Sequence, residues 1–314
     1  MQPLAGLLVV DLTRYTPGPF ASRELLRLGA RVVRVEPPEG DPTRSAAPSW
    51  HAALDAGKES VVCDLKSEEG LELANGLCAR ADVVLDGFRP GVLERLGVRV
   101  PERAVLCAIT GFGAEGPHAG LAGHDLNYAG WAGLLADTAP ALPPTQVADL
   151  CAGSYAAVVE ILAALIAGRG ARLTVSMTHG THRLVAHRLS GDPVDRALTG
   201  GLACYRVYPT ADGRHLTLAA LEPEFFARAC ELLGRPELSE RQFAQEQEEL
   251  AAELAEAFAA GTLAGWLERF EGEEACVGPV WTIEEAAREF GQAAGGRPPD
   301  LGEHTEAWRA ELGL

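Results

Sequence analysis

The chemistry in this chain starts with a histidine and an aspartate 25 positions apart, His124 and Asp149, in GHDLNYAGWAGLLADTAPALPPTQVADLCAGS (residues 123–154). His124 follows a glycine and opens LNYAGWAGLLA, a run with helical period. Asp149 is approached through the extended PPTQVA and followed by AGSYAAVVEILAALIAG, small and apolar at the same period. A base and an acid, each exposed where an element begins, suit proton transfer better than packing. Each residue also has a plainer reading. Asp is a favoured helix N-cap, because its carboxylate accepts free N–H groups of the first turn. A lone histidine is commonly a surface or internally satisfied side chain. Glu222 is a third candidate, between the apolar HLTLAAL and a helix that starts at Pro223. Glutamate caps helices poorly, so its presence there leans towards function. His179, His182 and His187 raise a metal site, but positions i, i+3 and i+8 do not share a helix face and have no acidic neighbour. No metal site is assigned.

The elements that must position these groups alternate. GLLVVDL (6–12) is an apolar run fit for a buried parallel strand. PFASRELLRLG then reads as a helix with proline at its start and glycine at its end, and ARVVRVEPP as a strand closed by two prolines. SVVCDL, the helix SEEGLELANGLCARA and DVVLD repeat the unit, and FRPGVLERLG and AVLCAITG continue it. The pattern predicts a large Rossmann-like, doubly wound α/β domain over residues 1–190. Ligands of such sheets lie beyond the carboxyl ends of the strands, where Thr13, Arg14, Phe88, Arg89, Gly111 and Phe112 fall. No G-x-G-x-x-G follows the first strand, so the dinucleotide fingerprint is absent. Near Gly191 the character changes to a meander, ACYRVY and HLTLAAL around the Asp212–Gly213 turn, then acidic helices. Residues 191–290 are expected to form a smaller α+β domain. Residues 291–314 are a glycine- and proline-rich tail with a short closing helix, its return to the large domain left open.

Composition limits the partners. The net charge of −17 argues against nucleic acid, whose phosphates bind basic surfaces. The charge is uneven: residues 1–150 carry 13 basic and 19 acidic side chains, the rest 14 and 25, so the first half is the less hostile to an anionic ligand. No basic head or cleavage site precedes the first strand, and no apolar run reads as long enough to span a bilayer. Seven cysteines stand singly without a Cys-x-x-Cys pair, as expected of buried thiols in a cytoplasmic protein.

Several stretches together resemble the class III CoA-transferase (CaiB/BaiF) family, which includes alpha-methylacyl-CoA racemases. They are LLVVDLTRYTPGPFASRELLRLGARVVRVEPP, SVVCDLKSEEGLEL, ADVVLDGFRPGVLERLG, ITGFGAEGPHAGLAGHDLNY, VADLCAG and YRVYPTADGRHLTLAALEPEF. The resemblance implies two domains in an interlocked homodimer, with a composite active site and acyl-CoA as the partner. It implies arginines holding the CoA phosphates, at the positions of Arg34 and Arg89. In racemases of this kind an Asp matching Asp149 and a His matching His124 flank the α-carbon, with a Glu matching Glu222. In the transferases the matching Asp is a nucleophile that forms a mixed anhydride. All three racemase positions are occupied here, so the resemblance implies a racemase of 2-methyl-branched acyl-CoA thioesters. A CoA-transferase and a catalytically silent acyl-CoA binder are the alternatives. No cofactor beyond the CoA thioester itself is expected. An enolate-like oxygen would need donors, and backbone N–H groups near the helix beyond Asp149 are candidates. The chain departs from the family in Cys151-Ala152, where glycines are usual, and in Thr174 and His179, where acids are usual. The segment from Leu189 to Gly200 is shorter than in the family.

Overall fold

Six strands pair in parallel in a computed structural model that describes residues 2–168, 170–191, 197–291 and 296–314. They are β1 (Leu8–Asp11), β2 (Arg31–Glu36), β3 (Glu59–Val62), β4 (Val83–Asp86), β5 (Val105–Thr110) and β6 (Ala171–Ser176), in the order β3-β2-β1-β4-β5-β6. Their near-continuous apolar runs follow from burial on both faces, since alternate side chains of a strand point to opposite sides. Val9, Val32 and Val83 pack on one face with Ala21 and Leu25 of α1 (Pro17–Arg27) and Ile161 of α7 (Ala156–Ile166). Their neighbours Val10, Val33 and Val84 pack on the other with Leu73 and Leu77 of α4 (Glu68–Arg80). A one-residue slip in any of these strands would exchange the two faces, so the register is firmly set. Ser67 caps α4 by accepting the Gly70 N–H at 3.0 Å, and Glu68 and Glu69 occupy its first turn.

Two helices between β2 and β3, α2 (Thr43–Ala46) and α3 (Pro48–Asp55), fall in a proline-interrupted stretch with no legible period. Side-chain chemistry organises that stretch: Asp41 accepts both the backbone N–H and the hydroxyl of Thr43. The strand order reverses between β1 and β4, and the crevice beyond their carboxyl ends is where doubly wound sheets bind ligands.

The helix that carries Asp149 differs from expectation in two ways. It opens as a wide π-helical segment, Ala148–Tyr155, before continuing as α7, and its cap position is Val147. Asp149 is therefore inside the first turn and is not an N-cap. The combined helix Ala148–Ile166 is also long and apolar enough to span a membrane by length and composition, contrary to the reading that no run reaches that length. Single glycines and Tyr155 broke the run in the sequence. In the fold one face of the helix, with Ala157, Val158 and Ile161, belongs to the sheet core.

The chain divides into a unit of Met1–His187 with Ala293–Leu314 and a second of Arg188–Gln292. The expected boundary near Gly191 and the start of the tail run into residues 192–196 and 292–295, which lie outside the described residues. The described end of the tail packs on the first unit. Trp308 of the helix Thr305–Leu312 is 1 % exposed within the α4-side core, and its indole N–H donates to Glu59.

The second unit has an antiparallel sheet, β7 (Tyr205–Pro209), β8 (His215–Ala219) and β9 (Val277–Pro279), in that order. The β7–β8 hairpin turns through Asp212-Gly213, with Pro209 opposite His215. Its own core gathers Tyr208, Leu216, Leu218, Phe226, Leu250, Leu254, Phe258 and Trp266.

Candidate active site

The carboxyl ends of β1, β4 and β5 open into a pocket of about 290 Å³ whose wall includes Arg14, Tyr15, Arg89, Gly123, His124, Tyr128 and Asp149. Both predicted proton-transfer groups and one of the two predicted phosphate arginines are thus brought together. Loops build the wall, but rigid elements fix the loops.

The short helix α6 (Asp125–Trp131) shows how, because each residue of GHDLNY has a task. His124 is its cap residue, with an exposed side chain and an extended backbone (φ −129°, ψ 175°). Its N–H donates to the Asn127 side-chain oxygen at 3.1 Å, and the Tyr128 hydroxyl donates to the Gly123 carbonyl. The peptide before the imidazole is therefore held from both sides by the first turn of the helix. Tyr128 can reach there only because Gly111 and Gly123 lack side chains: a Cβ at either would sit 2.5 or 2.7 Å from its ring. Asp125 reaches across and accepts the Asp149 N–H at 2.8 Å.

That contact shapes the electrostatics of Asp149. Burial pushes its carboxyl well above the ordinary carboxylate range, the Asp125 carboxylate adds to this, and it reaches about 7. The same surroundings raise the Tyr128 phenol, first through burial and then through the nearby Asp149 charge. An acid held near neutrality can hold or release a proton at working pH, as a general acid–base group must. The expected oxyanion donors are partly engaged, since the Leu150 N–H donates to the Gln146 carbonyl and the Asp149 N–H to Asp125.

The arginines part company. Arg89 stands exposed on the pocket wall with no ion-pair partner among the described residues. Arg34, the other predicted phosphate residue, does not line this pocket. It is 2 % exposed, and its guanidinium lies 2.9 Å from Asp41, 3.1 Å from Asp55 and 3.8 Å from Asp11. Burial pulls its pKa down, but Asp55, Asp11, Asp41 and Glu36 together outweigh that and leave it raised, so it is a buried cation held by ion pairs. The reason is topological: Arg34 sits in mid-sheet beside Asp11, its Cα partner across the β1–β2 pair, with its head turned inward. A second pocket of about 410 Å³, lined in part by Lys66, adjoins the first through Arg14 and Phe88, which line both. Arg14 and Lys66 are exposed and, like Arg89, unpaired among the described residues.

Glu222 belongs to the second unit. It is exposed at the cap of the helix Pro223–Leu233, where its carbonyl accepts the N–H groups of Phe225 and Phe226 while its carboxylate makes no capping bond. Among the described residues no three His, Cys, Asp or Glu side chains cluster as metal ligands. His179 pairs instead with the Ser176 hydroxyl at 2.8 Å, and His182 lies 3.1 Å from the Ala132 carbonyl. Sequence reasoning missed Asp125, Tyr128 and Tyr15. The signal for the first two was their place in GHDLNY, one and four residues beyond His124 on the same turn. Tyr15 gave no signal.

The pocket lies at the switch point of a doubly wound α/β sheet, where such folds bind small molecules, and it brings together a histidine, a near-neutral carboxyl and unpaired cations. Residues 4–305 match the family model described as CoA-transferase family III, and the chain belongs to that family, whose enzymes act on acyl-CoA thioesters. It is 35% identical to the alpha-methylacyl-CoA racemase of Homo sapiens over 309 residues, 90% of this chain and 78% of that protein. It is 32% identical to the acetyl-CoA:oxalate CoA-transferase of Acetobacter aceti, with 91% and 82% covered. The crystal structure of a CAIB/BAIF family protein from Brucella suis superposes with a TM-score of 0.81 at 28% identity, covering 99% of both chains.

Proposed function

We propose that this chain inverts the α-carbon of 2-methyl-branched acyl-CoA thioesters by a two-base 1,1-proton transfer between His124 and Asp149, a step in lipid metabolism. The observation that carries the reading is that both side chains line one pocket and that Asp149 is held near neutral pKa. One group takes the α-proton, and the C–H electron pair moves into the thioester carbonyl as an enolate. The other group, protonated, delivers its proton to the opposite face, where the enolate's carbon–carbon π pair forms the new C–H bond as the thioester carbonyl is restored. The thioester acidifies the α-proton, so the scheme needs no resident metal or redox cofactor. Arg89, Arg14 and Lys66 offer unpaired charge for the phosphates of CoA, in keeping with the adjoining second pocket.

The same pocket supports a second reading, because the transferase relative is almost as similar as the racemase. Asp149 would then attack the thioester carbonyl, release CoA thiolate and form a mixed anhydride. Incubation with 2-methylacyl-CoA in deuterated water decides between them. α-Proton washout without acyl exchange is the expected result. CoA transfer to an added carboxylic acid, with an acyl-enzyme trapped by hydroxylamine, would establish the transferase. Binding of CoA with neither reaction would leave a silent acyl-CoA binder.

The proposal extends to an interlocked homodimer in a cytoplasmic setting that suits the seven free cysteines. In it Glu222 of the partner subunit completes the site by orienting His124. Co-expressing Asp149→Asn with Glu222→Gln, each inactive alone, is then expected to restore activity, since mixed dimers hold one intact site. No recovery, with mixed dimers shown to be present, would remove the composite site.

A further inference from the structure

Tyr15 has three features that packing alone does not explain. It has a left-handed backbone, φ +65°, one of two non-glycine residues with positive φ among those described. Such a conformation is costly for an aromatic residue and persists only where its surroundings impose it. Its side chain is half exposed, so no gain from core burial offsets that cost. And its ring meets the His124 imidazole edge-on, the centroids 6.4 Å apart and the planes at 89°.

The surroundings that impose the conformation can be traced inward. The Tyr15 N–H donates to the Asp41 carboxylate at 3.0 Å, and that same oxygen is held by the Arg34 guanidinium at 2.9 Å. Arg34 also donates to the Thr13 carbonyl at 3.4 Å, while Asp11 accepts the Thr13 N–H and hydroxyl. The loop 13–15 is thereby clamped from below by groups with no route to solvent. His124, in turn, is fixed at its backbone by α6, where its N–H donates to the Asn127 side chain.

We infer that Tyr15 is a positioning residue for the proposed catalytic histidine: the buried Arg34–Asp41 pair forces the left-handed turn, and the turn sets the aromatic edge against the His124 imidazole. The inference rests on the reading of His124 as a proton-transfer group but is tested apart from it. The tyrosine ring, beside the imidazole on the pocket wall, limits its rotation about the side-chain bonds. Its hydroxyl takes no part.

The test uses the full chain with Tyr15→Gly, which suits φ +65°, and Tyr15→Phe, which keeps the ring. The first readout is the imidazole signal of His124 in a two-dimensional NMR spectrum, assigned through His124→Gln. Tyr15→Gly is expected to shift and broaden it, at an unchanged or raised melting temperature, and Tyr15→Phe to leave it in place. The second is α-proton exchange in deuterated water, followed separately for the two enantiomers of 2-methylacyl-CoA. Tyr15→Gly is expected to slow exchange of the enantiomer served by His124 by roughly 10- to 100-fold, as misplacement of a reacting group does, with little change in KM. The other enantiomer, served by Asp149, should change far less. An unmoved His124 signal, or equal loss for both enantiomers, overturns the inference. If the unaltered protein exchanges no α-proton, the racemase reading fails by itself, and the His124 signal in the two variants still decides the role of Tyr15.

Discussion

The wall of the pocket and the floor beneath it use the same kinds of charged residue to opposite ends. On the wall, Arg14, Arg89 and His124 are exposed and make no ion pairs among the described residues, and Asp149 is half-buried beside another acid. On the floor, Arg34 and Lys58 are enclosed by Asp11, Asp41 and Asp55, with the Lys58 ammonium 2.9 Å from Asp55 and 2.8 Å from both the Ser22 hydroxyl and the Pro19 carbonyl. Burial pulls the Lys58 pKa down while Asp55 opposes it; burial pushes Asp55 up, and Lys58 and Arg34 more than reverse that. The floor groups have spent their interactions on each other and hold the loop 13–15 in shape. The wall groups are left uncompensated, which is what makes them available to a ligand. Charge type therefore says little about role until its partners are known.

Mutations should keep the two regions apart. The largest effect belongs to the wall: Asp149→Asn and His124→Ala are each expected to lower inversion of 2-methylacyl-CoA by about 10²- to 10⁴-fold. Denaturant unfolding of His124→Ala should show stability within about 0.5 kcal/mol of the parent, as for a surface site. A collapse of stability there would place His124 among the structural residues. On the floor, Arg34→Leu leaves Asp41 without its cation, and Asp11 and Asp55 with Lys58 alone, and should cost about 3–5 kcal/mol of stability, read from the urea midpoint. A normal midpoint with a raised KM for acyl-CoA would instead return Arg34 to phosphate binding.

Asp149 should also show itself in the pH dependence of stability. Its native pKa of about 7 lies above the ordinary value of about 4 for an unfolded aspartate. Between those values the native state keeps a proton that the unfolded chain has lost, so this group's contribution to stability falls as pH rises through the window. Asp149→Asn should accordingly gain on the parent from about pH 4 to 7 and hold a constant lead above it, on the order of 2 kcal/mol after allowing for partial exposure. A stability difference flat across that range would show that Asp149 titrates normally. The smallest effect is on the wall again: Arg89→Ala should raise KM for acyl-CoA about tenfold, roughly 1.4 kcal/mol, with kcat little changed, since a phosphate contact binds substrate and transition state alike. An unchanged KM would exclude Arg89 from the site.

What the sequence determined by itself was whatever depends on near neighbours. Apolar runs and helix signals such as Ser67 and Pro19 specified the doubly wound sheet, because strand faces and caps are read within a few residues, although the first helix starts two residues earlier, at Pro17. The Asp212–Gly213 hairpin and the candidates His124, Asp149 and Arg89 were legible in the same way. The tertiary structure decided what depends on partners distant in the chain. It turned Arg34 inward, because Asp55 lies 21 positions further on in a helix with no periodic signature. It moved Asp149 from a helix cap into a π-helical turn and set Asp125, 24 residues away, beside it, which gives its carboxyl a near-neutral pKa. It also fixed Tyr15 in a left-handed turn through Asp41, which lies 26 positions away. Burial and through-space charge are sums over the folded neighbourhood, and no local pattern of residues contains them.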